Sequence, residues 1–119
     1  MTQTVSFSSD SIDECTEVFT LDGECDLPAA LEAEQRILAA LDAGSTEIIF
    51  DLRGLSSLGF EGITMLFRGQ TRTKERSGRF VLIRPNEYVW ALFERSGLDH
   101  SFSTFRDLNH ALAKTPASR

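Results

Sequence analysis

The tetrapeptide Gly59–Gly62, which contains Phe60 and Glu61, is the stretch best suited to binding a partner or an anionic group. It follows the apolar run Ile48–Phe50, which is typical of a buried strand, and it precedes apolar residues that recur at helical spacing. The pattern predicts a loop that ends at a helix N-terminus, where backbone N–H groups lack partners and the helix dipole is positive. We therefore expect a binding surface at residues 59–62.

The other reactive side chains form no arrangement that indicates catalysis or metal binding. His100 and His110 stand apart from any nucleophile or carboxylate at a spacing typical of a catalytic or metal site. Cys15 and Cys25 have no second cysteine pair and no neighbouring histidine cluster, so neither a zinc site nor a disulfide framework is indicated. The chain also has neither a P-loop nor a dinucleotide-binding fingerprint. The sequence thus predicts a protein that is not an enzyme, with reduced thiols, no metal and no cofactor.

Composition limits the number of domains and the class of partner. A chain of 119 residues buries one core, and its 12 basic and 18 acidic residues give a net charge of −6. This charge disfavours nucleic acid and anionic membranes and favours a basic protein partner. No apolar run has the length of a membrane span, and the polar start of the chain lacks the pattern of a signal peptide. We therefore expect a cytoplasmic protein.

Strand and helix patterns alternate along the chain and position the binding stretch. Strands are predicted at 4–8, 16–22, 47–51, 79–83 and around 102–105, and helices at about 27–43, 60–76, 85–97 and 107–113. This succession implies right-handed crossovers between neighbouring strands. The expected fold class is α/β, with a mainly parallel sheet of about four or five strands, about four helices and an antiparallel N-terminal strand.

The segments between these elements complete the predicted organisation. Residues 1–113 are expected to form a single domain and residues 114–119 a flexible tail. A turn is predicted from Ser9 to Glu14, a bend at Gly23 and a loop over 53–62. Because the sheet has few strands, we expect the helices to cover one of its faces more fully than the other.

Two apolar stripes are predicted to face the core. The stripe of the first helix consists of Leu27, Leu31, Ile37, Leu38 and Leu41. The stripe of the second helix consists of Ile63, Leu66, Phe67 and Gln70. Both follow the spacing of three and four residues that places side chains on one side of a helix.

Four motifs occur in the order that is found in a known family, namely Gly23–Asp26, Ile48–Gly54, Gly59–Gly62 and Leu92–Leu98. Together they resemble the STAS domain family, whose small bacterial members are anti-sigma factor antagonists, over roughly residues 16–113. The resemblance implies a small α/β domain that binds a kinase-type anti-sigma factor. It also implies that the partner docks at the start of the second helix, where family members carry the motif Asp-Ser-Ser/Thr-Gly and are phosphorylated on its first serine.

This chain departs from the family motif at the positions that carry the phosphorylation. Alignment on Gly62 places Gly59 at the aspartate, Phe60 at the phospho-acceptor serine and Glu61 at the second hydroxyl residue. Phenylalanine has no oxygen that could accept a phosphoryl group, so the resemblance implies a docking surface without phospho-control at position 60. An apolar ring favours lasting association, because burying it contributes on the order of 1.5–3 kcal/mol. The sequence predicts that the ring of Phe60 faces outward.

Several residues have two interpretations that the sequence leaves open. Phe60 is either an anchor for the partner or a ring folded back onto the core. Asp26 either contributes to the docking surface or caps the first helix. Ser56 and Ser57 either replace the missing phospho-acceptor or shape the turn before the second helix. Cys25 either forms a thiol switch with Cys15 or is a small buried side chain.

Two alternative functions also remain at this stage. In the first, the loop over 53–62 and the following helix N-terminus bind a small anion or a nucleotide, although Phe60 and Glu61 obstruct such a ligand. In the second, the domain is a structural subunit of a larger STAS assembly or a homodimer. An exposed Trp90 and the basic cluster of Arg68, Arg72, Lys74 and Arg76 would then be its contacts.

Overall fold

The computed structural model describes the backbone of residues 5–11 and the whole of residues 15–113. The strands are β1 (Val5–Ser11), β2 (Thr16–Cys25), β3 (Glu47–Asp51), β4 (Leu55–Leu58), β5 (Arg79–Ile83) and β6 (Ser103–Phe105). The helices are α1 (Leu27–Asp42), α2 (Phe60–Glu75), α3 (Glu87–Ser96) and α4 (Leu108–Ala113), with a short 3-10 helix at Leu98–His100. The predicted α/β class with four helices is confirmed.

All the strands belong to one sheet, in which β3 is central. The strand order is β1-β2-β3-β5-β6, and β4 pairs with β2 beyond the end of β3. The pairs β2–β3, β2–β4, β3–β5 and β5–β6 are parallel, while β1 runs antiparallel to β2. Every residue of β3 is buried, as its apolar run predicts.

Helices cover both faces of the sheet, but unequally. Alternate strand residues point to opposite faces, so Ile48 and Phe50 join the larger core while Ile49 joins the smaller one. The larger core includes buried residues of α1, α2 and α3, whereas the smaller core is closed by α4 through Ala111. The expected unequal coverage of the two faces is therefore confirmed.

Two strand boundaries and one loop were predicted incorrectly. The second strand does not end at the bend of Gly23 but continues to Cys25, because a register shift at Gly23, whose φ is 97°, keeps it in the sheet. The loop predicted over 53–62 contains β4, which pairs with this extension. The first strand reaches Ser11 instead of turning at Ser9. Residues 12–14 and the predicted tail 114–119 lie outside the described residues.

The core-facing stripe of α1 was predicted correctly at Ile37 and Leu41 but incorrectly at Leu27 and Leu31. Leu27 and Leu31 are 51% and 49% exposed, and the buried residues of this helix are Ala29, Ala30, Ala33, Ile37 and Leu41. Small alanine side chains let α1 approach the sheet and α2 closely, which leaves the flanking leucines at the surface.

A similar rotation affects α2, whose buried residues are Gly62, Met65, Leu66, Gly69 and Thr73. Phe67 is 37% exposed, and Gln70 is only partly buried. Gly69 faces the core at a point where α1 and β5 lie too close to α2 for a side chain: a Cβ would lie 2.9 Å from Ile37 Cδ1 and 3.0 Å from Phe80 Cε1. A glycine carries no hydrophobic signal, so the apolar pattern did not indicate this contact.

Candidate functional site

The start of α2 is positioned by β4 and by the end of β2. Gly59 is the N-cap residue and makes no side-chain hydrogen bond, while its carbonyl oxygen accepts a bond of 3.0 Å from the N–H of Ile63. Gly62 is buried against the preceding elements: a Cβ there would collide with Leu58 and lie 3.2 Å from Cys25 Sγ. This close contact fixes the first turn of α2 on the end of the sheet and turns the neighbouring side chains outward.

Phe60 is the first residue of α2 and projects into solvent, with 79% of its surface exposed. The ring is therefore not folded onto the core, and its orientation agrees with the outward prediction. Whether it binds a partner remains a prediction. A single exposed apolar residue is common in proteins, and it is a contiguous apolar patch that marks an interaction surface.

Phe60 does not stand alone, because α1 contributes further apolar surface beside it. A depression of about 200 Å³, which we name the α1–α2 groove, lies between the first turns of the two helices. Its walls include the exposed leucines 27 and 31 of α1 and the ring of Phe60, and the buried Met65 contributes to its floor. The sequence prediction missed the α1 wall because it assigned Leu27 and Leu31 to the core.

A finer pattern in the sequence distinguishes the two sides of α1. Ala30, Ala33, Ile37 and Leu41 are spaced as one narrow helical stripe, and this is the buried stripe. Leu27 and Leu31 are spaced four residues apart on the adjacent side of the helix. If alanine is counted as a core residue, this pattern identifies the leucines as surface residues.

Acidic groups gather at the end of the groove nearest the helix start. Glu61 extends back over its own helix N-terminus, with Oε1 3.4 Å from the position a Cβ on Gly59 would occupy. Burial raises the pKa of the Cys25 thiol to about 11, with further contributions from the negative charges of Asp26 and Glu61. The carboxylates of Asp26 and Glu61 therefore lie close enough to Cys25 to act on it together. A carboxylate that covers the helix N-terminus also disfavours a small anionic ligand there.

The opposite end of the groove is electrically balanced. Arg68 Nη1 lies 3.4 Å from Glu34 Oε1, so an ion pair between α2 and α1 closes that end. Farther along the helices, Arg76 Nη2 pairs with Asp42 Oδ1 at 2.8 Å. The basic cluster on α2 is therefore mainly a solvated helix face that is held to α1 by ion pairs.

Asp26 caps α1, which is one of its two predicted roles. Its Oδ1 accepts a hydrogen bond of 3.0 Å from the N–H of Ala29, and its backbone is extended, as is typical of an N-cap residue. The structure also brings Asp26 to the same end of the molecule as Glu61 and Gly62, through their shared neighbour Cys25. A role of Asp26 in partner binding stays a prediction.

Other residues singled out in the sequence lie away from this site or lack the expected geometry. Cys15 immediately precedes the 10-residue strand β2 and Cys25 ends it, so about 30 Å separates them and no disulfide can join them. Ser56 and Ser57 belong to β4 and do not form a turn. The assembly alternative needs an exposed Trp90, but its ring is partly buried, stacks on Phe93 and is covered by the Arg84 guanidinium at 4.5 Å.

Metal ligands, membrane-spanning helices and the second histidine can be checked in the described residues. Among residues 15–113, no three His, Cys, Asp or Glu side chains come together to hold a metal ion. The helices of the described part of the chain are all too short or too polar to cross a membrane. His110 packs its Nδ1 3.2 Å from Asp107 Oδ1 at the start of α4, far along the chain from the groove. What the site presents is an exposed apolar surface with an acidic end.

Comparison with known proteins reveals relatives with the same fold and a shared family. The profile of the STAS domain family matches residues 8–111. A relative from Lysinibacillus sphaericus, named as an anti-sigma F factor antagonist, is 30% identical over 93 residues, which cover 77% of this chain and 80% of that protein.

Two solved structures superpose on most of the chain. The anti-sigma factor antagonist SpoIIAA in its unphosphorylated form has a TM-score of 0.76 and 27% identity, with 90% of this chain and 93% of that chain covered. An anti-sigma factor antagonist from Mycobacterium paratuberculosis has a TM-score of 0.79, with 92% of each chain covered. Its identity is 23%, so this second likeness concerns the fold.

Proposed function

Because the chain belongs to the STAS domain family, we propose that it is a regulatory protein-binding module whose partner is a kinase-type anti-sigma factor or a related regulatory protein. The relatives that are named as anti-sigma factor antagonists support this class of partner. The single observation that carries the proposal is the 79% exposure of Phe60 at the first position of α2, where the family resemblance places the docking surface. The module acts by binding and is not an enzyme.

The proposal includes the absence of phospho-control at position 60. A phosphorylated serine adds about −1.5 to −2 charges and disrupts an apolar interface through the cost of desolvation. A phenylalanine ring cannot be phosphorylated and instead gains free energy from burial, on the order of 1.5–3 kcal/mol. We therefore expect this module to stay competent for binding when ATP and the kinase activity of the partner are present.

The test is a capture experiment that compares three forms of the chain. Wild type, Phe60→Ser and Phe60→Ala are used to capture proteins from the source cytoplasm, and the captured kinase-type anti-sigma factor is then purified and incubated with each form and labelled ATP. We expect wild type to bind and to incorporate no phosphate at position 60. Phe60→Ser should bind more weakly and become phosphorylated, because it regains the acceptor hydroxyl.

Phe60→Ala is the matched control, since it loses the ring without gaining a hydroxyl. It should bind as weakly as unphosphorylated Phe60→Ser and incorporate no phosphate. Two results would contradict the proposal: capture of no anti-sigma factor by wild type, or equal affinity of all three forms. Phosphorylation of wild type on a residue of β4, such as Ser56, would show that phospho-control has moved instead of being lost.

A further inference from the structure

We propose that the α1–α2 groove receives one aliphatic side chain of the partner, next to a basic residue of the partner that pairs with Glu61. This inference rests on the proposed function and identifies the chemistry that the partner must present. It adds α1 to the recognition surface, through Leu27 and Leu31, and so makes the docking site wider than the start of α2.

The apolar part of the inference follows from the shape and exposure of the groove. Leu27 and Leu31 are half exposed on one wall, Phe60 is 79% exposed on the other, and the space between them is about 200 Å³. This volume matches a single large aliphatic side chain and is too small for a drug-sized ligand, whose pockets begin at about 300 Å³. Filling it would remove three exposed apolar side chains from water together.

The position of the basic residue follows from the charges at the two ends of the groove. At one end, Arg68 and Glu34 neutralise each other at 3.4 Å. At the other end, Glu61 takes part in none of the ion pairs within residues 15–113, and the carboxylate of Asp26 lies near the same buried thiol, that of Cys25. A partner cation is therefore favoured beside Glu61 and gains nothing beside Arg68. The net charge of −6 likewise favours a partner whose docking surface is basic.

The charges at the two ends of the groove also determine the orientation in which a segment of the partner can lie along it. With its aliphatic side chain between the helices, the segment must place its lysine or arginine toward the N-terminus of α2. The other end of the partner segment lies beside the Arg68–Glu34 ion pair and needs no charged residue. A segment with the reverse order would place its cation beside the neutralised Arg68–Glu34 pair and would lose the pairing with Glu61.

The experiment measures binding of the purified kinase-type anti-sigma factor of the source organism by calorimetry. Leu27→Ala and Leu31→Ala should together weaken binding by about tenfold or more, as expected when two anchors at the centre of an interface are truncated. Leu92→Ala is the matched control, because Leu92 is 38% exposed on α3, and it should bind as wild type does. Leu31→Met, which keeps an aliphatic wall, should retain the affinity of wild type.

The charge is tested with a second set of variants. Glu61→Lys should weaken binding by about tenfold or more at low salt, while Glu94→Lys on α3 should change it little. Replacing the partner's contacting lysine or arginine with glutamate should restore binding to Glu61→Lys. The leucines and Glu61 lie at the surface, so circular dichroism and thermal melting should show that all the variants are folded.

The outcomes separate this inference from the proposed function. If Phe60→Ala weakens binding but the leucine and Glu61 variants bind as wild type does, the groove is not part of the interface and the proposed function stands. If the leucine variants weaken binding but no charge reversal restores Glu61→Lys, the assignment of a basic residue is wrong. If wild type binds no such partner, both proposals fail.

Discussion

Phe60 and Glu61 change the chemistry of the α2 start in complementary ways. The ring supplies apolar area at a position where the family resemblance implies a phospho-acceptor, and the proposed function therefore includes the loss of phospho-control there. The carboxylate of Glu61 lies over the helix N-terminus and occupies the region where an added anion would be stabilised. Both residues therefore favour a protein partner over a phosphate or a nucleotide.

Beneath these two residues, Cys25 links the site to the pH dependence of stability. Burial and the carboxylates of Asp26 and Glu61 raise the pKa of its thiol from 9.0 to about 11. Because the folded chain keeps a proton that the unfolded chain loses, the free energy of unfolding should fall as the pH rises from about 9 toward 11. We expect a loss of about 1 kcal/mol between about pH 8 and about pH 10, measured by urea denaturation.

Cys25→Ala is the control for this prediction. The variant should be less stable at every pH, because the sulfur fills a space under Gly62, but its stability should change less between the two pH values. Other groups that titrate in this range are the same in both proteins and cancel in the comparison. If wild type and variant lose equal stability, the thiol is not the group responsible.

Among the elements, β4 is the one on which the position of the site depends most directly. It is only four residues long, it pairs with the end of β2, and it leads into Gly59 and Phe60. Its outer side is held by Asn86, whose Nδ2 donates a hydrogen bond of 2.9 Å to the carbonyl oxygen of Leu55. The same side chain caps α3, since its Oδ1 accepts a bond of 3.0 Å from the N–H of Val89.

The two bonds of Asn86 can be separated by substitution. Asn86→Ala removes both and should lower the free energy of unfolding by about 1–2 kcal/mol. Asn86→Asp keeps the cap acceptor and loses only the donor, so it should cost less overall. In hydrogen exchange, both variants should lose protection in β4, whereas only Asn86→Ala should lose it at the start of α3.

Asn109→Ala serves as the control, because Asn109 is exposed on α4 and should leave both elements unchanged. If Asn86→Asp and Asn86→Ala are equally destabilised, the cap contributes nothing and β4 depends on the donor alone. If neither variant changes β4, the strand is held by its pairing with β2.

The element patterns also explain which parts of the fold were predictable. β3 and β5 are continuous apolar runs and α1 and α2 are long and periodic, so local sequence was sufficient to predict them. β4 has two serines between two leucines, and what makes it a strand is a partner about thirty residues earlier in the chain. Its location depends on tertiary pairing, which no local pattern records.

The candidate site shows the same division. Its centre at Phe60 followed from the expected helix N-terminus, and the ring does face outward. Its second wall was missed because α1 packs through alanines, and alanine adds little to a hydrophobic pattern while deciding how closely helices approach. The sequence therefore indicated the exposed ring of Phe60 but not the apolar surface of α1 beside it.

For the molecule as a whole, the central strand of the sheet is held by more contacts than the short strand β4 that leads to the candidate site. β3 has five buried residues and is paired along its length with β2 and β5. By contrast, among the described strands β4 has one neighbour, β2, and β6 is a short edge strand beside β5. Binding surfaces are commonly drawn from elements that open locally, since these can adjust to a partner.

This arrangement predicts an order of amide hydrogen exchange. Amides of β3 and β5 should exchange only by global unfolding, with a steep dependence on denaturant, whereas those of β4 should exchange by local opening with a weak dependence. Native-state exchange measured by NMR at several urea concentrations tests this order.

If β4 shares the steep dependence of β3, then the start of α2 is a rigid extension of the core, and partner binding would add no protection to residues 55–62. If β4 exchanges locally, a bound partner should slow exchange there first, because binding must hold closed the strand that positions Phe60.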